Sequence, residues 1–132
     1  MPLARIALKR GRSDDFLASV ADAVYQSLRA IFGIPDDDRF AIIEQREDNE
    51  IIFDRGYLVT ERTDGLMIIE ITANDTRTAA QKEALYRDMS ARLIALGVAP
   101  GDVFIVLNEI KPENWSFGEG RMAYPPRDLE AV

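Results

Sequence analysis

The chain has 132 residues, 47% hydrophobic and 30% charged, a balance that supports one folded domain with a sizeable core. Its net charge of −7 argues against non-specific binding to nucleic acid or anionic lipid, and no apolar run reaches the roughly 20 residues of a membrane span. With no cysteine and no histidine, it is denied disulfides, thiolate zinc sites, cysteine nucleophiles and imidazole acid–base chemistry.

The opening Met1-Pro2-Leu3-Ala4-Arg5 lacks the long apolar stretch of a secretory signal, so a cytoplasmic protein beginning at or next to Met1 is expected. Leu3–Leu8 reads as an apolar strand. A helix follows, with Leu17, Val20, Ala21, Val24, Leu28 and Ile31 along one face. Ser13 suits its N-cap, Asp14 and Asp15 suit the positive end of its dipole, and Gly33 suits its C′ position. Phe40–Glu44 predicts a second strand, and Glu50–Asp54 a further short one. Arg55-Gly56 and Asp64-Gly65 read as turns. Met67–Ile71 predicts another strand, and Thr78-Ala79-Ala80-Gln81 is the pattern of a capping box. The helix it opens carries Leu85, Met89, Leu93 and Leu96 on one face and stops at Gly97, before an apolar strand at Val103–Leu107. Trp115–Gly120 suggests a glycine-assisted turn or hairpin. Tyr124-Pro125-Pro126 cannot lie in a central strand, and mobile final residues are expected.

The elements repeat. Arg12-Ser13 recurs as Arg77-Thr78, 65 residues on, and Phe40 recurs as Phe104, 64 residues on. Two copies are too few for a solenoid and make a duplicated strand–helix–strand unit, at about 2–45 and 66–109, in a single domain spanning 1–132. Short crossovers of this kind imply parallel pairing within each unit. The expected fold is α+β: a four-stranded mixed sheet with two helices on one face, short hairpins and a C-terminal hairpin or tail. Ile68-Ile69 and Phe104–Leu107 are apolar on both faces, so the face opposite the helices calls for oligomerisation.

Pro2, the duplicated unit, Asp38 within Pro35–Phe40 and the turn Asn114-Trp115-Ser116-Phe117-Gly118 together resemble the tautomerase superfamily, and within it the malonate semialdehyde decarboxylase branch. The resemblance runs from Pro2 to about Tyr124. It implies a homotrimer, no cofactor and no metal, and a catalytic secondary amine on Pro2 after removal of Met1. Desolvation lowers an amine's pKa and makes it a base; a neighbouring carboxylate keeps it protonated and makes it an acid. A carbonyl substrate can also condense with it. The resemblance marks Asp38 as the residue that orients water and substrate. Arg77, at a loop-to-helix junction, is placed to grip a substrate carboxylate, and Trp115, Phe117 and Tyr124 form an aromatic wall.

The implied function is keto–enol tautomerisation, hydration or decarboxylation of a small 2- or 3-oxo acid. The alternative is a non-catalytic trimeric binding protein that keeps the fold. One departure bears on the choice: the decarboxylase branch carries two closely spaced arginines where this chain has Asn74-Asp75-Thr76-Arg77, with one.

Overall fold

A computed structural model of the chain describes residues 1–123. Strand β1 (Leu3–Lys9) leads into helix α1 (Asp14–Ser27), which continues through a π-helical turn at Leu28–Phe32. Strands β2 (Ala41–Arg46) and β3 (Met67–Asn74), helix α2 (Ala79–Ala95) and strand β4 (Val103–Ile110) complete the duplicated unit. The sheet order is β2-β1-β3-β4. Each repeat pairs its strands in parallel, and β1 runs antiparallel to β3, with Leu3 opposite Thr72 and Leu8 opposite Met67.

Local chemistry explains the helix ends. The Ser13 hydroxyl accepts from the Phe16 amide at 3.1 Å, beside Asp14 and Asp15 in the first turn. Thr78 and Gln81 exchange both bonds of a capping box. Gly33 closes the π turn at φ 67°, a left-handed conformation that glycine adopts without steric cost.

The core lies between the sheet and the two helices. Ile6, Met67, Ile69 and Ile71 meet Val20, Leu85, Met89 and Leu93, all fully buried. The buried stripe of α1 is Leu17, Val20, Ala23 and Val24, with Ala21 at the half-buried flank. On the other face Ile42 and Phe104 are 40% and 44% exposed. A charged row crosses that face: Glu44 accepts from Arg46 at 2.7 Å and from Arg5 at 2.8 Å. The hydrogen bond from Arg46, then that from Arg5, holds the Glu44 carboxyl below its ordinary value of 4.5.

Two expectations need correction. Glu50–Asp54 forms no strand; residues 47–66 make a loop of turns and bends. Its bonds run to side chains and turns instead of a ladder. Buried Arg62 donates to the carbonyls of Asp54 and Tyr57 at 3.0 and 2.8 Å. Buried Asp102 accepts from the Thr63 amide at 2.7 Å and from its hydroxyl at 2.5 Å. Gly101 permits the approach, since a Cβ there would stand 2.0 Å from the Glu61 carbonyl oxygen. Of the turn or hairpin expected at Trp115–Gly120, the glycine-assisted turn forms and the hairpin does not, since no strands pair there. The segment is a tight loop in which the Ala123 amide bonds the Trp115 carbonyl at 2.9 Å, with Glu119 and Gly120 at positive φ. Tyr124 and the ending from Pro125 lie outside the described residues.

Two outcomes follow. Asp102→Ala removes the buried carboxylate that accepts both Thr63 bonds and should cost about 1–3 kcal/mol in urea unfolding, the worth of hydrogen bonds to a charged group. Glu44, with its pKa depressed in the fold, contributes stability that is complete above its ordinary 4.5 and is lost as pH falls through that value and below. Glu44→Gln should therefore flatten the acid limb of the stability–pH profile as pH falls through 4.5 and below, measured by urea midpoints.

Candidate active site

The antiparallel β1–β3 junction gathers the candidate residues. It sets the start of β1 beside the ends of β3 and β4, so Pro2, Asn74 and the loop after Ile110 share one edge of the fold. Helix α1 returns antiparallel to β1 and delivers Phe32 there, and the loop from Gly33 to Phe40 brings Asp38. Helix α2 starts at the same end, behind Arg77 and Thr78.

Pro2 is buried and lines a small cavity with Tyr25, Leu28, Ile34, Asp38 and Phe40. Asp38 is 4% exposed, and neither carboxylate oxygen has a hydrogen-bond partner among the described residues. Its nearest opposite charge is the Met1 α-amine, 3.4 Å from Oδ2, an ion-pair distance longer than a good hydrogen bond. A buried carboxylate without donors is costly to maintain, so its position needs a reason beyond packing. The loop that carries it is held deliberately. The Asp38 amide bonds the Pro35 carbonyl at 3.2 Å, and the Tyr25 hydroxyl donates to the Asp36 carbonyl. Tyr25 is itself flanked by Arg39, 4.5 Å from its ring, and Arg29, at 5.8 Å.

Arg77 sits just before the α2 cap, where the sequence places it. Its Nη2 donates to the Phe32 carbonyl at 2.9 Å, its Nη1 to the Thr76 hydroxyl at 3.1 Å, and its guanidinium lies 4.6 Å from the Phe32 ring. It thus satisfies a carbonyl at the end of the first repeat's helix. The related Arg12 stacks on Phe16 at 4.7 Å and belongs to the opposite end of the sheet.

The aromatic wall is present but differently composed. Trp115 stacks on Phe117 at 5.2 Å and Phe117 on Phe40 at 6.1 Å. Phe40 thereby links the wall to the Pro2 cavity, and its carbonyl accepts from the Ala4 amide at 3.0 Å. Phe40 and Phe117 are 52% and 43% exposed, so the wall is an open surface and not a sealed lid. Tyr124, the third aromatic expected, lies outside the described residues. Sequence reasoning missed three neighbours: Tyr25, Phe40 and Asn74, whose Oδ1 accepts from Trp115 Nε1 at 2.8 Å. Phe40 left a trace as a strand-leading aromatic repeated at Phe104, and Asn74 as a residue where the decarboxylase branch carries arginine, while Tyr25 left none.

Against this geometry the comparisons are decisive. Two family models described as tautomerase enzyme match the chain, one over residues 38–118 and one over residues 2–58. The chain belongs to the tautomerase superfamily. Probable tautomerase YusQ of Bacillus subtilis (strain 168) is 43% identical, over 92% of this chain and 96% of that protein. Among solved structures, FG41 malonate semialdehyde decarboxylase inhibited by 3-bromopropiolate is 34% identical with a TM-score of 0.88, over 92% of this chain and 93% of that one. A fused 4-OT symmetric trimer, 20% identical, shares the fold with a TM-score of 0.76 over 92% of this chain and 95% of its own. This tautomerase relative therefore carries the decarboxylase-like form of the fold. No helix among its described residues is long and apolar enough to cross a membrane.

No hydrogen bond satisfies the Asp38 oxygens and their ion pair with the Met1 α-amine is long, at 3.4 Å, so the carboxylate adds little to stability. Asp38→Asn should leave the thermal midpoint unchanged or raise it by a few degrees, about 1 kcal/mol, in a calorimetric scan.

Proposed function

We propose that this tautomerase relative is an enzyme that moves a proton with the secondary amine of Pro2, exposed by removal of Met1, on a small 2- or 3-oxo acid. The observation that carries the proposal is the pairing of buried Pro2 with a buried, unsatisfied Asp38 carboxylate in one cavity. Removing Met1 transfers the terminal amine to the Pro2 nitrogen. A carboxylate beside that amine favours its protonated form, and a dry cavity strengthens their attraction. Pro2 then serves first as an acid.

With a 3-oxo acid, protonated Pro2 hydrogen-bonds the carbonyl oxygen. The bond between the α-carbon and the carboxylate breaks, carbon dioxide leaves, and the electron pair passes into an enolate stabilised by the amine's proton. Protonation of the α-carbon from Pro2 gives the aldehyde or ketone, and solvent restores the proton to the amine. Tautomerisation of a 2-oxo acid passes through a different enol, a 2-hydroxy-2-enoate that keeps its carboxylate, with the same amine carrying the proton between oxygen and carbon. In hydration Asp38 would orient the attacking water. Arg77 supplies the cation for the substrate carboxylate, assisted by the N-terminus of α2. Trp115 and Phe117 present apolar surface that excludes water once substrate is seated. A single arginine in the β3–α2 loop suits one carboxylate.

The same reading includes a homotrimer. Ile42 and Phe104 on the uncovered sheet face, with Ile52 and Leu58 91% and 84% exposed on the 47–66 loop, supply apolar surface for a second copy. The solved fused 4-OT trimers share this fold. Light scattering should give three times the 14.8 kDa of the chain.

Intact mass should show Met1 removed, and 3-bromopropiolate should add to Pro2 in the parent and leave Pro2→Ala unlabelled. Retained methionine, or equal labelling of Pro2→Ala, would overturn the proline mechanism. Parallel assays on malonate semialdehyde and an enolpyruvate assign the reaction. Arg77→Ala should raise KM about ten- to a hundred-fold, the worth of a lost charge-assisted pair, with an unchanged circular dichroism spectrum.

A further inference from the structure

Asn74 is the last residue of β3, half-buried, at the edge of the sheet that holds Pro2. Its Oδ1 accepts from Trp115 Nε1 at 2.8 Å. An indole N–H can only donate, so the carboxamide must present its oxygen to the indole, and its orientation is settled by chemistry. From Trp115 contact passes to Phe117 and on to Phe40, which lines the Pro2 cavity.

The loop that bears Trp115 and Phe117 is otherwise closed mainly on itself. The Trp115 amide bonds the Pro112 carbonyl at 3.3 Å, the Arg121 amide the Gly118 carbonyl at 3.3 Å, and the Ala123 amide the Trp115 carbonyl at 2.9 Å. The Asn74 carboxamide makes a side-chain hydrogen bond that ties the segment from Trp115 to Ala123 to the sheet. A stack that is close to half exposed and carried on a loop needs such a tether to keep one position.

We infer that Asn74 is a positioning residue for the Pro2 site: by anchoring the Trp115 indole it sets the Trp115–Phe117–Phe40 stack over the cavity and so controls water exclusion around the reacting amine. The inference rests on the proline reading above. It makes Asn74 more than a vacancy left by an absent arginine. A carboxamide accepts from indole, whereas a guanidinium has no acceptor and cannot make this bond.

Trp115 is the only tryptophan in the chain, so intrinsic fluorescence reads its environment without interference. Asn74→Ala should raise acrylamide quenching of Trp115 roughly twofold or more and shift its emission to the red, as the freed loop opens to solvent. Asn74→Asp, which retains an acceptor at the same place, should restore parent quenching. In the oxo-acid assay Asn74→Ala should lower kcat about ten- to a hundred-fold, the usual cost of a misplaced site, while KM stays within about twofold. Parent-like quenching and emission in Asn74→Ala would overturn the inference, as would loosened fluorescence with parent kcat. Failure of the proline reading looks different: Pro2→Ala would keep full activity and escape no labelling, whatever the fluorescence of the Asn74 variants.

Discussion

The antiparallel pairing of β1 with β3 is the constraint from which the rest of the molecule follows. Each repeat folds its own parallel pair through a helix, and that much is local. Joining the two repeats head to tail along β1 and β3 decides which ends meet. It brings the first residues of one repeat to the last residues of the other, and with them the end of α1 and the start of α2. Residues as distant as Pro2 and Trp115 then share one edge of a sheet. The interior of that junction is among the driest in the protein: Ile6, Ile69 and Ile71 have no exposed surface, so the register cannot slip without turning them to solvent.

Duplication would produce two related ends, but only one can hold a terminal amine. The 64-residue offset sets Leu66 in the place of Pro2, and Leu66 carries an internal amide on a buried residue. The two arginines at the repeated loop-to-helix junctions have diverged accordingly. Arg12 covers the Phe16 ring of its own helix, while Arg77 reaches across to the Phe32 carbonyl of the other repeat. The far end has become structural, tied down by Asp102 and Thr63 beneath the 47–66 loop.

Asp38 expresses the opposite tendency. A carboxylate stripped of water and left without donors does not arise from packing, and the fold spends Tyr25, the Pro35–Asp38 turn and two flanking arginines on the loop that holds it. On the proposed function, this carboxylate awaits the Pro2 ammonium and a substrate. The wall beside it is complementary: apolar, stacked, and tied at one end by the neutral hydrogen bond from Trp115 to Asn74.

Periodicity and capping chemistry made the repeats, both helices and all four sheet strands legible in the sequence, since each is written in contiguous residues. The absence of histidine and cysteine directed attention to an amine and to carboxylates, and the resemblance singled out Pro2, Asp38 and Arg77. The false strand at Glu50–Asp54 shows the limit. The apolar run Ile51-Ile52-Phe53 joins neither open edge of the sheet, β2 or β4, and the loop around it is held by side chains beyond that run in sequence, such as Arg62 and Asp102. The roles of Tyr25, Phe40 and Asn74 were not legible, since they consist of contacts with residues at least 11 positions away, such as Tyr25 with Asp36 and Asn74 with Trp115 at a separation of 41. Local propensity determined the elements; only the closing of β1 against β3 decided which of their ends became neighbours, because that contact depends on burial across the whole sheet and not on any one segment's preference.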